Sequence, residues 1–426
     1  MGMIIFRIVG PLVIFGLQFL LYRKTVRWLK SSQTEHHNLV RAVTALFILF
    51  NGAAAYMMIN RPLMLDLPEW FLYSGVYPYF IWHGATFFIG LVVLLVSLIK
   101  LPFFALLSAT KGIQFISQKR LQLQTKPAFQ QFDATRRRFL RNGMYGLTAV
   151  SFGGSAYGMF VEPRDGEITS AEFFLPSLDP DLDGFTIGLI SDIHSSVHMP
   201  KDKMNEYVTL LNSLQTDLIV VDGDFVNSAV EEVYPFAEAF SNLRAPHGVY
   251  GVMGNHDYYN NNPDLVAREV NDCGVTILLD DKVVIERNGV RFYLIGVDDI
   301  SRGTSASVRM KKALGYAPEG IPKILLCHRP YFLQEAAELG IDLVLSGHTH
   351  GGQVVLGRFG ETVLAPASLV SRYVWGKYEE GGSQMYVSRG VGTVGVPVRI
   401  NCPPELTRIV LRAGKRSPVA QVTKPD

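Results

Sequence analysis

Three stretches near the start of this 426-residue chain are too long and too uniformly apolar to fold against water. A bilayer core of ~30 Å is crossed by ~20 predominantly apolar helical residues. Met3–Tyr22 meets that length with one charge, Arg7, close enough to an end to snorkel. Val43–Ile59 and Tyr79–Ile99 carry no charge, and the second of these runs on apolar through Leu101–Leu107. None shows the polar face of a helix packed on a water-soluble core. Gly143–Val161 is a further candidate, uncharged and rich in glycine. The expectation is an N-terminal α-helical membrane region over 1–161 with about four transmembrane helices. A composition of 48% hydrophobic and only 18% charged residues agrees with it.

The loops orient these spans. Arg23, Lys24, Arg27, Lys30 and Arg41 separate the first from the second. Between the second and third lie Arg61, Asp66 and Glu69, with Trp70, Tyr73, Tyr77 and Tyr79 as interface anchors. Lys111, Lys119, Arg120, Lys126, Arg136, Arg137, Arg138 and Arg141 precede Gly143. Excess Lys and Arg mark the cytoplasmic side. Both basic loops then face the cytoplasm, and a crossing by Gly143–Val161 delivers the rest of the chain to the outside. Without that crossing the remainder is cytoplasmic. Thr135–Arg141 (TRRRFLR) resembles a twin-arginine export motif, although it is internal here rather than at a chain start. No cleavage site follows, so a retained anchor is expected, in a multi-pass protein of the cell membrane.

The net charge is +2, and no basic stripe with interleaved aromatics occurs outside the N-terminal region, so nucleic acid is not an expected partner. No protein partner is expected either; the bilayer is. Cys273, Cys327 and Cys402 are far apart, form no C-x-x-C pair, and give no disulfide framework.

After a connector at 162–183, strand and helix patterns alternate. Short apolar runs bounded by turn residues read as buried strands at Phe185–Ser191, Asp217–Asp222, Gly248–Met253, Lys323–Cys327 and Asp342–Ser346. Met204, Val208 and Leu211 recur at helical spacing, and Val233–Leu243 reads as a second helix. Val283–Val297 reads as a hairpin turning at Asn288-Gly289. The result is an α/β domain over 184–412 with a β-rich end, then a tail over 413–426. Just past the strand ends stand Asp192-Ile193-His194, Gly223-Asp224, Gly254-Asn255-His256-Asp257, His328 and Gly347-His348-Thr349-His350. Strand ends of open α/β sheets are where ligands bind. Nitrogen and oxygen donors in this number suit a pair of metal ions.

The five motifs, in this order, resemble the signature of the calcineurin-like metallophosphoesterases over roughly Phe174 to Leu411. The resemblance implies a two-sheet β-sandwich flanked by helices, and two divalent metal ions (Mn, Fe or Zn). One ion would take Asp192, His194, Asp224 and His350. The other would take Asp224, Asn255, His328 and His348, with Asp224 bridging. His256 would be the catalytic, non-ligand histidine. Many members read G-D-x-x-D, with the last aspartate orienting that histidine; here Asn227 stands there. Asn227 can accept a hydrogen bond but cannot balance an imidazolium, which favours substrates with good leaving groups. Among the remaining histidines, His198 is near enough in sequence to reach substrate.

The implied function is a membrane-anchored phosphoesterase that hydrolyses phosphodiester or phosphomonoester bonds with a metal-activated hydroxide. Gly351-Gly352-Gln353, Arg389-Gly390-Val391-Gly392 and Pro397–Glu405 resemble the membrane-anchored or twin-arginine-exported bacterial phosphodiesterases, and Arg389 or Arg399 is a candidate to pair with a phosphate. Two alternatives share the motifs. One is a pyrophosphohydrolase of a nucleotide-linked lipid, of the UDP-diacylglucosamine type. The other is a non-catalytic membrane receptor or scaffold. The substrate is then a phosphate ester, in some of these readings lipid-linked.

Overall fold

A computed structural model describes residues 2–30, 37–60, 65, 67–110, 114–163, 166–260, 262–299, 306–360 and 362–415. Arg61, Asp66, Lys111 and the tail from 416 onward, all used in the sequence reading, lie outside these residues. The chain divides into two compact units, one of helices up to Met159 and one from Phe160 onward.

In the helical unit, Val9–Lys30, His37–Ile59 and Glu69–Ala109 are long and apolar enough to cross a membrane. The third contains a π-helical turn at Leu72–Val76. Polar pairs link helices within this unit, where lipid offers no hydrogen-bond partner. The Gln18 amide donates to Thr86 Oγ1, and Lys24 Nζ donates to Ser97 Oγ at 2.8 Å. Trp82 stacks on Phe50 with ring centroids 4.7 Å apart. The candidate Gly143–Val161 falls almost wholly within one long helix, Pro127–Phe160, whose first half carries the basic run. This helix is not among the three that qualify by length and composition.

The second unit holds two six-stranded sheets. In the first, the spatial order is Glu167–Leu175, Glu405–Ala413, Thr186–Ser191, Leu218–Asp222, Val249–Val252 and Thr276–Ile277. In the second it is Gly376–Glu380, Ser383–Val387, Leu343–Ser346, Lys323–Leu326, Val290–Gly296 and Asp281–Arg287. Alternation along each strand explains how the sheets stack. Leu218 and Val220 face the inter-sheet core with Phe292, Leu294, Ile324, Leu326, Leu343 and Leu345. Ile219 and Val221 face outward, under helices Lys201–Ser213, Val233–Phe240 and Pro263–Asp272. Ile295, Leu325, Val344 and Met385 meet the helices Ala306–Leu314 and Leu333–Glu338 on the other outer face. This is the sandwich flanked by helices.

Local chemistry sets the boundaries. Helix Pro263–Asp272 starts with proline at its first position, and the Asn262 side chain accepts from Leu265 N at 3.2 Å. The hairpin turns at Asn288-Gly289, both with φ above zero, as a two-residue turn of this hand needs.

One expectation is corrected. The stretch 162–183 is not a bare connector: Glu167–Leu175 is an edge strand paired in parallel with Glu405–Ala413 over its whole length. Its outer half is exposed and only Ala171, Phe173 and Leu175 are buried. A half-buried edge strand leaves a weak alternation in the sequence.

Candidate metal centre

Strands Thr186–Ser191, Leu218–Asp222, Val249–Val252, Lys323–Leu326 and Leu343–Ser346 run parallel within their sheets. Each hands its chain to a motif at its C-terminal end. The backbone there is unusual: Asp192, His194, Asp224, His348 and His350 all have φ between 50° and 70°. A non-glycine residue in the left-handed region is uncommon and costs of order 1–3 kcal/mol. Sharp turns of this kind swing consecutive side chains into one cleft. A Cβ at Gly254 would collide with Asp224 Oδ1, and one at Gly347 with Asp192 Oδ2, so glycine is required for these loops to close on one another.

Two donor groups result. One ligand atom each from Asp192, His194, Asp224 and His350 lie within 4.8 Å of one another, as do those of Asp224, His328 and His348. Asp224 belongs to both. Its Oδ2 is 3.4 Å from His194 Nε2 and 3.1 Å from His328 Nε2. Its Oδ1 accepts from His256 N at 2.7 Å. His350 Nε2 is 3.1 Å from His194 Nε2 and 3.4 Å from Asp192 Oδ1.

The donor set fits divalent cations. Backbone carbonyls can only accept, so His328 Nδ1 donates to Asp222 O at 2.7 Å and His350 Nδ1 to Gly392 O at 3.3 Å. Each Nε2 is thereby turned to the cleft, the second contact that usually orients a metal-ligating histidine. His350 and His348 sit well below their ordinary pKa, through burial first and then the positive potential of neighbours such as His194 and His328, which leaves neutral rings with lone pairs to offer. Burial would also lower His328, but Asp224, Asp192 and Asp222 outweigh it and raise it well above its usual value. So much buried negative charge calls for cations nearby. Asn255 Oδ1 is buried without a hydrogen-bond partner, while its Nδ2 donates to Tyr259 OH at 3.0 Å. An orphaned buried carbonyl oxygen costs ~1–3 kcal/mol, a penalty that a metal bond removes.

His256 stands against His194, ring centroids 4.5 Å apart. Its Nδ1 donates to the backbone carbonyl of Asn227 at 2.6 Å. Among the described residues the Asn227 side chain bonds Ser228 Oγ at 3.4 Å, so it is the backbone of Asn227, not the side chain that stands in for the family's aspartate, that holds His256. Burial lowers His256 to about 4, with Asp224 opposing.

One residue beside the site, Glu232, carries no sequence signal of its own. Glu232 Oε2 accepts from the N–H groups of Asn227, Ser228 and Ala229 at 2.8, 2.7 and 3.0 Å, fixing the loop that holds His256. Asp257 accepts from Val226 N and Gly254 N at 3.1 and 2.8 Å and ties two ligand loops together. Arg389 and Arg399 are held by partners within the protein. Arg389 pairs with Glu167 at 2.7 Å and Glu405 at 3.3 Å. Arg399 is fully buried and donates to the carbonyls of Arg389, Gly390, Gly392 and Cys402. It pins the loop packed behind Asp192 and His350. His198 is nearly buried, and burial lowers it to about 4.

With this geometry in view, likeness to other proteins takes on meaning. The family model for the calcineurin-like phosphoesterase domain matches residues 185–352. An uncharacterized metallophosphoesterase of Aquifex aeolicus is 32% identical over 52% of this chain and 83% of its own. Phosphodiesterase YaeI of Escherichia coli is 29% identical over 65% of this chain and 99% of its own. A transmembrane protein with metallophosphoesterase domain from Danio rerio is 32% identical over 62% of this chain, which spans 61% of the fish protein.

Proposed function

We propose a specific reaction for a chain that belongs to the calcineurin-like phosphoesterase family and is a metal-dependent phosphoester hydrolase: the hydrolysis of phosphodiesters or phosphomonoesters by a dinuclear centre, in a domain held at the outer face of the cytoplasmic membrane. One observation carries the dinuclear reading, the sharing of Asp224 Oδ2 between His194 and His328. The retained donor set speaks against a non-catalytic receptor or scaffold.

Asp192, His194, Asp224 and His350 would hold one ion, and Asp224, Asn255, His328 and His348 the other. When bound, two such ions polarise the phosphoryl oxygens, lower the pKa of attacking water and neutralise charge that develops in the transition state. His256, with its proton on Nδ1 and donated to Asn227 O, keeps Nε2 as the atom that exchanges a proton or a hydrogen bond with the reacting oxygens. Asp257 and Glu232 hold the ligand loops in register, so little reorganisation accompanies the reaction.

The test is hydrolysis of bis(p-nitrophenyl) phosphate and p-nitrophenyl phosphate by the detergent-solubilised full chain. Activity that is lost to a chelator and restored by Mn²⁺ or Zn²⁺ is expected. Full activity in the chelator would overturn the reading.

A further inference from the structure

Between the last metal-ligand motif and strand Gly376–Glu380 the chain makes an excursion. It contains a two-stranded hairpin, Gly357–Phe359 with Thr362–Leu364, and a 3₁₀ turn, Pro366–Leu369. A hairpin on a water-soluble domain packs one face and leaves the other polar. Here the packed face is ordinary: Val355, Val363, Ala365, Val374 and Cys402 form a small core. The excursion also leaves large apolar side chains in the open. Leu356 is 70% exposed, Phe359 73%, Leu369 89% and Val370 82%, with Leu364 beside them. Isolated exposed leucines need no explanation, but five large apolar side chains exposed on one short excursion mark an interaction surface.

The root of the excursion shows what lies nearby. Val355 N donates to Ile400 O at 2.9 Å, and Asn401 Nδ2 donates to Val355 O at 3.1 Å. Cys402, the next residue, donates its N–H to Glu162 Oε1 at 3.0 Å, just after helix Pro127–Phe160 ends. The root of the excursion therefore lies beside Glu162, near the start of the second unit. It also adjoins the metal centre. Cys402 Sγ lies 3.3 Å from His350 O, Gly352 abuts Ala365, and Thr349 Oγ1 donates to Val374 O.

We propose that Leu356, Phe359, Leu364, Leu369 and Val370 form a tip that inserts into the interfacial zone of the bilayer, bringing the metal cleft down to phosphoester headgroups of lipids. Apolar side chains entering the headgroup–acyl boundary bind in proportion to the area they bury. A chain already anchored by its helices meets that surface without a loss of translational freedom. A second copy of the chain fits less well, because a stable interface takes ~20–30 residues a side and the tip offers a handful. The substrate class rests on the hydrolase reading above; the docking surface does not.

The experiment uses the full chain with Cys273→Ser, reconstituted at one copy per nanodisc of phosphatidylcholine with phosphatidylglycerol. A bimane label is placed at Leu369→Cys or, as a control, at the exposed Tyr316→Cys. Lipids with a spin label high on the acyl chain should quench the label at 369 several-fold more than that at 316, and adding Val370→Asp should remove the difference. Equal quenching at both sites would overturn the proposal. So would a label at 369 that is shielded from aqueous iodide yet untouched by the lipid quencher, since the tip would then be covered by protein. The fluorescence needs no turnover, so it stands or falls apart from the reaction. In the hydrolytic arm, Leu369→Asp with Val370→Asp should leave the rate on soluble bis(p-nitrophenyl) phosphate within twofold of the parent.

Discussion

The Nδ1–H of His256 is donated to the backbone carbonyl of Asn227 at 2.6 Å, and the Asn227 side chain takes no part. The histidine is oriented by a loop, and that loop is held by Glu232 through three consecutive N–H groups. Glu232→Ala should lower kcat roughly 10–100-fold, the scale of a misplaced reacting group, with metal content retained. Glu232→Gln keeps an acceptor oxygen and should restore most of the rate. Asn227→Ala and Asn227→Asp should change the rate less than about threefold, and their ratio of alkyl to aryl phosphodiester activity should match the parent. A large rate change in Asn227→Ala, with Glu232→Ala silent, would reverse this assignment.

His256→Ala should retain both metals and lose ~10²–10⁴-fold in rate on an aryl phosphodiester, the range for a positioned acid–base group. Elemental analysis of the purified variant separates the roles. A variant that emerges without metal would make His256 a ligand.

The five motifs were legible because each follows an apolar run too short for a helix and ended by turn residues, as at Leu218–Asp222 before Gly223-Asp224. Strand ends converge on one edge of a sheet, so the order of motifs already implied a shared cleft. The partner of His256 was hidden because a backbone carbonyl acceptor leaves no trace in side-chain identity. Arg389 and Arg399 were phosphate-pairing candidates because side-chain identity does not reveal that Arg399 binds loop carbonyls, nor that Arg389 meets Glu405 and, through the edge strand Glu167–Leu175 and its parallel pairing, Glu167. That pairing joins residues more than two hundred apart, as in Glu167 opposite Glu405. The β-rich end after Gly352 was legible only as a pattern of short strands, and the exposure of its apolar residues leaves no mark in their identity.

Burial holds His198 at about 4, below the ~6.5 of an exposed imidazole. Between those values the unfolded chain binds a proton that the folded chain does not, so stability falls as pH drops through that window. The full effect, about 3 kcal/mol, is reached near pH 4 and is absent above pH ~7. Unfolding midpoints of the solubilised chain should therefore fall less steeply from pH 7 to 4.5 in His198→Gln than in the parent. Equal slopes would count against a buried neutral His198.

Topology follows from the contrast in Lys and Arg between loops. A reporter active only outside the cytoplasm should be active when fused after Val161 and silent after Gln124. If both fusions are silent, helix Pro127–Phe160 does not cross and the domain is cytoplasmic. A nucleotide-linked lipid assembled on that face would then become the substrate to assay first.

The account turns on Asp224 as the carboxylate common to two ions, and metal stoichiometry tests it most directly. Elemental analysis of the purified full chain should give two divalent ions per chain. In Asp224→Ala it should give at most one, with hydrolysis of bis(p-nitrophenyl) phosphate below about a tenth of the parent, since metal clamping contributes several kcal/mol to the transition state. A fully active parent with a single ion, or an Asp224→Ala variant that keeps two ions and its rate, would contradict the dinuclear centre.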